Sequence, residues 1–171
     1  MPDPVPRPLY LMAKPPREPL AQIASLPRMS STRAQSLAHV TLLPFVDLAE
    51  QPARFVPDLL ARMHGFGAFA FHVCFDRIVE HRAVTLRPGR TPSAARAFQN
   101  GLVAYLTAGG FALFGKPPAV HLTISYVRDG QGNEPIAPIG WRVDEVLLVE
   151  SIHGKATHKV HGRWQLDPLL V

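Results

Sequence analysis

Two short stretches of the chain carry the same chemistry, a histidine followed two residues later by a threonine and then by an apolar residue. The first stretch is His39–Leu42 and the second is His121–Ile124. Two imidazoles can serve as general acid and general base near neutral pH, because the unperturbed pKa of histidine is about 6.5. The threonine hydroxyls can donate hydrogen bonds to oxygens on which negative charge grows. The pattern therefore predicts a pair of proton-transferring histidines, each accompanied by a hydroxyl donor.

Both stretches also have the alternation of a half-buried β-strand. Apolar residues occupy positions 38, 40 and 42 and positions 120, 122 and 124, so the histidine and the threonine of each copy share the opposite face. None of the other six histidines has a threonine two residues later. Because the two copies lie in matched strands, we interpret them as one paired site and call their strands the motif strands.

The rest of the chain predicts the elements that position these strands. Apolar residues at three- and four-residue steps predict helices over 19–26, 52–64 and 93–108, with Gly109 and Gly110 closing the last one. β-branched and aromatic residues predict further strands over 9–13, 67–75, 83–86, 141–151 and 158–166. The first motif strand is expected to end before Pro44, and the segment 129–140 is expected to be rich in turns.

A helix precedes each motif strand, and this recurrence predicts the architecture. We expect an α+β fold that is bilobal, with two similar lobes of antiparallel sheet and helices on the outside. The two motif strands would then face each other across a central cleft.

The length and composition fit a single domain. Prolines stand at every second position from Pro2 to Pro8, so residues 1–8 are expected to form a flexible arm and residues 9–171 one domain. Cys74 is the only cysteine and lies in an apolar run, which predicts a buried thiol, no disulfide and a reducing compartment. No signal peptide or membrane-spanning run is present, so we expect a cytoplasmic protein without a membrane partner.

The charge balance favours a phosphate-bearing partner. The formal net charge is +5, and it comes from 14 arginines and only 4 lysines. The planar guanidinium group suits bidentate contacts with phosphate, although a solvated surface explains the same composition.

The two stretches resemble the signatures of the two-histidine (2H) phosphoesterase superfamily, in the branch named for RNA 2′,3′-cyclic phosphodiesterase and 2′-5′ RNA ligase. Residues 9–16 are similar to the opening strand of that branch, and residues 143–151 to the strand after its second signature. Two departures stand out. Phe45 follows Pro44 where the family often has Phe-Leu-Gly, and Tyr126 stands where many members place an arginine, with Arg128 two residues further on.

The resemblance implies a metal-independent enzyme without cofactor, which hydrolyses the 2′,3′-cyclic phosphate at an RNA end to a 2′-phosphomonoester and can also act as a 2′-5′ RNA ligase. Opening a cyclic phosphodiester with water needs an acid for the leaving oxygen and a base for the nucleophile. We expect His39 to be the acid, His121 the base, and Thr41 and Thr123 the groups that hold the phosphate.

Three further residues complete the predicted substrate site. Phe45 and Tyr126 are candidates to stack on a base, although ordinary packing is the favoured interpretation of each. Arg128 is a candidate phosphate contact. The C-terminal histidines 153, 158 and 161 are expected to belong to a solvated hairpin, because they lack the spacing of a metal site.

Two alternatives stay open. The substrate could be a small cyclic nucleotide or a 2′-5′ oligoadenylate in place of an RNA end. A different class is a non-catalytic RNA- or nucleotide-binding module that kept the cleft. Binding alone needs charge and aromatic rings, so the presence of two complete histidine–threonine pairs favours the enzyme. We expect a monomer.

Overall fold

The computed structural model describes residues 5–29, 35–112, 116–126, 130–152 and 157–168. These residues form three α-helices and eight β-strands. The helices are α1 (Arg17–Ala24), α2 (Phe55–Met63) and α3 (Ser93–Ala108). The strands are β1 (Pro8–Ala13), β2 (Val40–Asp47), β3 (Phe71–Glu80), β4 (Ala83–Arg87), β5 (Leu122–Tyr126), β6 (Gly132–Val143), β7 (Glu145–Ile152) and β8 (Thr157–Gln165).

All eight strands belong to one antiparallel sheet, in the order β6-β3-β4-β5-β2-β1-β7-β8. The motif strands β2 and β5 are neighbours at its centre, and a single registered pair, Val40 with Leu122, joins them. Every other pair of neighbouring strands is registered over four or more residues. The predicted α+β class is confirmed, and the sheet consists of two four-stranded halves that meet between the motif strands.

The apolar face of the motif strands anchors them in the core. Val40, Leu42, Leu122 and Ile124 have no exposed surface, and they belong to one buried cluster with side chains of all three helices. Burying such a side chain stabilises the fold by about 1.5–3 kcal/mol. A smaller cluster of Met12, Leu147 and Val149 forms separately from this core. It lies on the face of the histidines and threonines, because Met12 is registered with Thr41.

The helices follow from the predicted apolar spacing. In α2 the buried residues are four apart, and in α3 they recur at steps of three and four; the buried side chains are Leu59, Met63, Ala95, Phe98, Gln99, Leu102 and Leu106. Helix α3 ends where Gly110 adopts a φ of 83°, a left-handed backbone that glycine takes without strain. Among the described residues, no helix is long and apolar enough to cross a bilayer.

Two predicted strand boundaries were wrong. Proline is tolerated in a strand where the hydrogen bonds to the neighbouring strand are irregular, or where the strand lies at the edge of the sheet. β2 continues through Pro44, which pairs with Tyr10 in a stretch of shifted register. β6 occupies most of the segment predicted to be turns, including Pro135 and Pro138, because it is an edge strand whose outer side needs no partner. Trp141 to Val143 therefore end β6 and do not begin β7.

Two further expectations need correction. β1 begins at Pro8, and the Arg7 backbone amide donates to Asp47 Oδ1 over 2.8 Å, so the end of the expected arm belongs to the fold. Residues 1–4 lie outside the described residues. Cys74 is exposed, because Val73 and Phe75 on either side of it take the inward positions of β3.

Candidate active site

A cavity of about 340 Å³ lies over the place where the two halves of the sheet meet. Both histidine–threonine pairs line it. Its remaining walls come from Tyr10, Met12, Leu37, Tyr126, Ser151, Thr157 and His158. The fold therefore brings together four residues that the sequence predicted to act as one site.

The antiparallel pairing explains the arrangement of the four side chains. Val40 is registered with Leu122, and stepping one residue either way places His39 opposite Thr123 and Thr41 opposite His121. Each histidine thus has one threonine along its own strand and another across from it. The two imidazoles occupy diagonal corners, with the hydroxyls on the other diagonal.

Both imidazoles are held in the same way. His39 Nδ1 donates to the carbonyl oxygen of Leu37 over 2.6 Å, and His121 Nδ1 donates to that of Ala119 over 2.7 Å. A carbonyl oxygen only accepts, so Nδ1 must carry the proton in each ring. In the neutral ring Nε2 then has the lone pair, and it is the atom that can exchange a proton with a substrate.

A register shift follows the threonine in both motif strands. The pairing of β2 with β1 slips by one residue between Thr41 and Leu43, and the pairing of β5 with β4 slips between Thr123 and Ser125. An extra residue in one strand of an antiparallel pair bends the strand and redirects the side chains beyond it. The repeat in the sequence therefore extends to matched irregularities in the backbone.

Solved structures of other proteins share this fold over nearly their whole length. E. coli LigT in complex with 3′-AMP matches with a TM-score of 0.70 and 21% identity, covering 94% of this chain and 98% of LigT. A protein described as a phosphoesterase matches with a TM-score of 0.74, 19% identity and coverage of 95% and 99%. The protein TT0787 of Thermus thermophilus matches with a TM-score of 0.71 and 17% identity, covering 95% of this chain and 99% of TT0787.

The chain has the fold of the two-histidine phosphoesterases. No protein-family model matches the sequence, and no curated protein matches it significantly, so the relation is one of structure. Other structures of E. coli LigT contain ATP, NADP+ or phosphate.

The structure gives a different result for each of the three additional residues that were predicted to contact the substrate. Phe45 is only 1% exposed and belongs to the core, so its predicted stacking on a base is wrong. Strict alternation would place Phe45 on the face of Thr41, and the register shift in β2 turns it inward. Tyr126 is 72% exposed and lines the cavity, because the shift in β5 turns it to the face of Thr123. Arg128 lies outside the described residues.

The sequence analysis missed a third histidine of the site. His158 of β8 lines the cavity, and its ring meets that of His39 edge to face with centroids 5.3 Å apart. His161 is bonded to the buried Glu150, with Nε2 2.8 Å from Oε2. The expected solvated hairpin is therefore wrong for both residues, and His153 lies outside the described residues. Only the register of β7 with β8 reveals that His158 stands beside Ser151.

Tyr10 is a second residue that the sequence did not indicate. Its ring lines the cavity from β1, and burial raises the pKa of its hydroxyl, with smaller contributions from the nearby Tyr126 and Asp47. Tyr10 is therefore a neutral hydrogen-bond donor at physiological pH.

Arg87 extends the polar surface on the His121 side. It ends β4 half-buried, and its Nε donates to Thr85 Oγ1 over 3.1 Å. Thr85 is registered with Thr123 and Leu86 with Leu122, so one step beyond Leu86 places Arg87 opposite His121. Among the described residues, no carboxylate lies within ion-pair distance of the Arg87 guanidinium.

The described part of the chain contains no group of three or more histidine, cysteine or acidic side chains arranged to hold a metal ion. The expectation of a metal-independent site without cofactor stays a prediction.

Proposed function

We propose that the protein is a metal-independent cyclic phosphodiesterase that opens the 2′,3′-cyclic phosphate at an RNA end and leaves a 2′-phosphomonoester. The observation that carries the proposal is the shared cavity of His39, Thr41, His121 and Thr123, in which both imidazoles hold their Nδ1 proton against a backbone carbonyl. This arrangement gives two proton-transfer atoms and two hydroxyl donors around one space.

The diagonal placement of the rings suits an in-line displacement at phosphorus. His121 takes a proton from water through Nε2 while the water oxygen bonds to phosphorus. The bond from phosphorus to O3′ breaks, and His39 gives its Nε2 proton to that oxygen. The phosphate stays on O2′, and the two histidines have exchanged protonation states. Each such proton transfer contributes typically about 10²–10⁴-fold to the rate.

The hydroxyl and cationic groups stabilise the charge that grows on the phosphate. Thr41 and Thr123 stand on the other diagonal of the site and donate to the two non-bridging oxygens. Arg87 supplies positive charge from β4, beside His121. It takes the part that the resemblance assigns to an arginine shortly after the second signature, where this chain has Tyr126. Donors preorganised in this way act mainly on the transition state, where the charge is largest.

The size and lining of the cavity favour a nucleotide end. A volume of about 340 Å³ is at the small end of the range for small-molecule sites, so one nucleotide fits and the remainder of an RNA must lie outside. The exposed ring of Tyr126 stands at this cavity and can stack on a base. The binding of 3′-AMP by the structurally similar LigT supports a nucleotide ligand.

The same site chemistry supports RNA ligation. If the 5′-hydroxyl of a second RNA takes the place of water, His121 removes its proton and the same bond to O3′ breaks. The product is then a 2′-5′ phosphodiester, and no external energy source is needed because one phosphodiester replaces another. A 5′-hydroxyl RNA added at increasing concentration should divert product from the 2′-phosphomonoester to the joined strand.

The direct test uses an oligonucleotide that ends in a 2′,3′-cyclic phosphate, with and without a chelator. Wild-type protein should form the 2′-phosphomonoester equally in both conditions. His39→Ala and His121→Ala should each lose at least about 10²-fold in kcat, whereas His72→Ala, which changes an exposed histidine of β3, should keep wild-type activity. Activity that disappears with chelator and returns with a divalent metal would refute the metal-free scheme.

The alternatives give different results in the same assay. A preference for mononucleoside 2′,3′-cyclic phosphates or for 2′-5′ oligoadenylates, measured by kcat/KM, would identify a small-molecule enzyme. Binding of the oligonucleotide without turnover by the wild-type protein would identify a binding module.

A further inference from the structure

A buried glutamine of α3 is hydrogen-bonded both to β2 and to the segment that leads into β5, and we call these two parts of the chain the motif segments. Gln99 has no exposed surface, and its Nε2 donates to the carbonyl oxygen of Leu42 over 2.8 Å and to that of Pro118 over 3.0 Å. Both acceptors are carbonyl oxygens, so the amide must present its nitrogen to them. Its own Oε1 is buried without a hydrogen-bond partner among the described residues. One side chain therefore uses both of its hydrogens to connect two distant parts of the chain.

The two acceptors stand next to the residues that carry the chemistry. Leu42 directly follows Thr41 and lies at the register shift of β2. Pro118 directly precedes Ala119, whose carbonyl accepts the Nδ1 proton of His121. Each hydrogen bond of Gln99 thus fixes a peptide group next to a residue of the site, in one case Thr41 and in the other Ala119, whose carbonyl orients His121.

The sheet alone does little to fix the distance between these segments. β2 and β5 share the single pair Val40–Leu122, and the histidines lie just outside it. Arg96, one turn before Gln99 in α3, donates to the carbonyl of Pro117 over 3.3 Å and holds the same approach to β5. Helix α3 therefore supplies the link that the central pair of strands lacks.

We propose that Gln99 is a positioning residue that sets the separation and orientation of His39 and His121, a role that rests on the proposed function. Gln99 is buried away from the cavity lining and acts through the two backbone segments. General acid and base must be in place around one phosphate at the same time, and a misplacement of about 1 Å can cost on the order of 10²-fold in rate. Substrate binding depends on the individual side chains and tolerates such a shift better.

The test replaces the amide by a side chain of similar length without donors. Gln99→Met should lower kcat for the cyclic-phosphate oligonucleotide by about 10–10²-fold and change KM by less than about threefold. Leu102→Ala is the matched control, because Leu102 is fully buried in the same helix and its side chain has no hydrogen-bonding group. This control should lower Tm at least as much and keep kcat per folded molecule within about twofold of wild type, since it leaves the site geometry intact. Wild-type kcat in Gln99→Met, or an equal loss in Leu102→Ala, would overturn the proposal.

A second measurement separates the failure of this proposal from the failure of the proposed function. Imidazole ¹⁵N NMR spectra report which ring nitrogen carries the proton. In wild type both His39 and His121 should show the Nδ1–H form, and in Gln99→Met both rings should shift, while Leu102→Ala leaves them unchanged. If the wild-type protein does not turn over the cyclic phosphate, the proposed function fails, and unchanged rings in Gln99→Met would then refute the positioning role independently.

Discussion

His158 contacts His39 edge to face, with ring planes at 71°, whereas among the described residues no aromatic ring stands beside His121 in this way. The two motif strands are matched in sequence, in backbone irregularity and in the hydrogen bond of each Nδ1. Their surroundings differ, because β8 belongs to the half of the sheet that contains β2 and places His158 beside His39. The acid and the base of the proposed reaction are therefore distinguished by what lies next to them.

Removing the His158 ring should reduce the rate moderately. An edge-to-face aromatic pair contributes about 0.5–1.5 kcal/mol, which corresponds to a loss of about two- to tenfold in kcat if the contact orients His39 in the transition state. His158→Ala should show this loss and His158→Phe, which keeps a ring at the same place, should recover most of it. His161→Phe, on the same strand but outside the cavity, is the control. A variant His158→Phe as impaired as His158→Ala would mean that the nitrogen atoms, and not the ring contact, are needed.

Tyr126 should contribute to substrate binding through its ring. Stacking of a base on an aromatic side chain is worth about 1–3 kcal/mol, so Tyr126→Ala should raise KM for the cyclic-phosphate oligonucleotide by at least about fivefold. Tyr126→Phe should bind as the wild type does. Phe69 is also an exposed aromatic residue and lies outside the cavity, so Phe69→Ala should leave KM unchanged. Equal KM values for all four proteins would show that Tyr126 does not contact the base.

Arg87 should contribute more to kcat/KM than its exposed neighbour. A hydrogen bond to a charged group is worth about 1.5–3 kcal/mol, and Arg87→Met should therefore lower kcat/KM by about 10–10²-fold. Arg87→Lys keeps the charge without the planar donors, so its kcat/KM should lie between those of wild type and Arg87→Met. Arg90 is exposed in the following turn, and Arg90→Met measures the general effect of removing one positive charge. Similar losses in Arg87→Met and Arg90→Met would assign the effect to net charge alone.

Glu150 should make the stability of the fold sensitive to acid. Its carboxylate is buried between Arg7 and His161, and the hydrogen bond from Arg7, supported by that from His161, lowers its pKa below the usual value of 4.5. A carboxyl whose folded pKa is lowered stabilises the fold above its unfolded pKa, and this contribution is lost as the pH falls through the folded value. The loss is therefore expected below about pH 4.5.

The measurement is urea unfolding of wild type and Glu150→Gln at pH 7 and in acid. At pH 7 the variant should be less stable by about 1.5–3 kcal/mol, because it loses charge-assisted hydrogen bonds. In acid the difference should shrink. Glu145→Gln is the control on the same strand, since its partner Arg163 is well exposed and such pairs contribute about 1 kcal/mol or less. A difference between wild type and Glu150→Gln that stays constant with pH would contradict the assignment.

The elements and the central pair of the site could be predicted because their information is local. Alternation and helical spacing within a few residues indicated both motif strands and all three helices. The errors concern features that depend on neighbouring strands. Phe45 and Tyr126 each lie on the face of the sheet opposite to the one that strict alternation predicts, because register shifts relative to β1 and β4 intervene. Pro44 remains inside a strand because of the shift relative to β1. His158 reaches the cavity only through the pairing of β8 with β7, and no local pattern encodes that register.

The single Val40–Leu122 pair has a consequence for the dynamics of the protein. Because each half of the sheet contributes one histidine, any hinge motion between the halves changes the distance between the two imidazoles. Amide protons at this seam have few ladder partners, and they should exchange with solvent faster than those within β3–β6 or β7–β8. In the proposed reaction, this sparse pairing leaves room for the substrate between the two halves of the sheet. The rate then depends on the fraction of time that both histidines are in place.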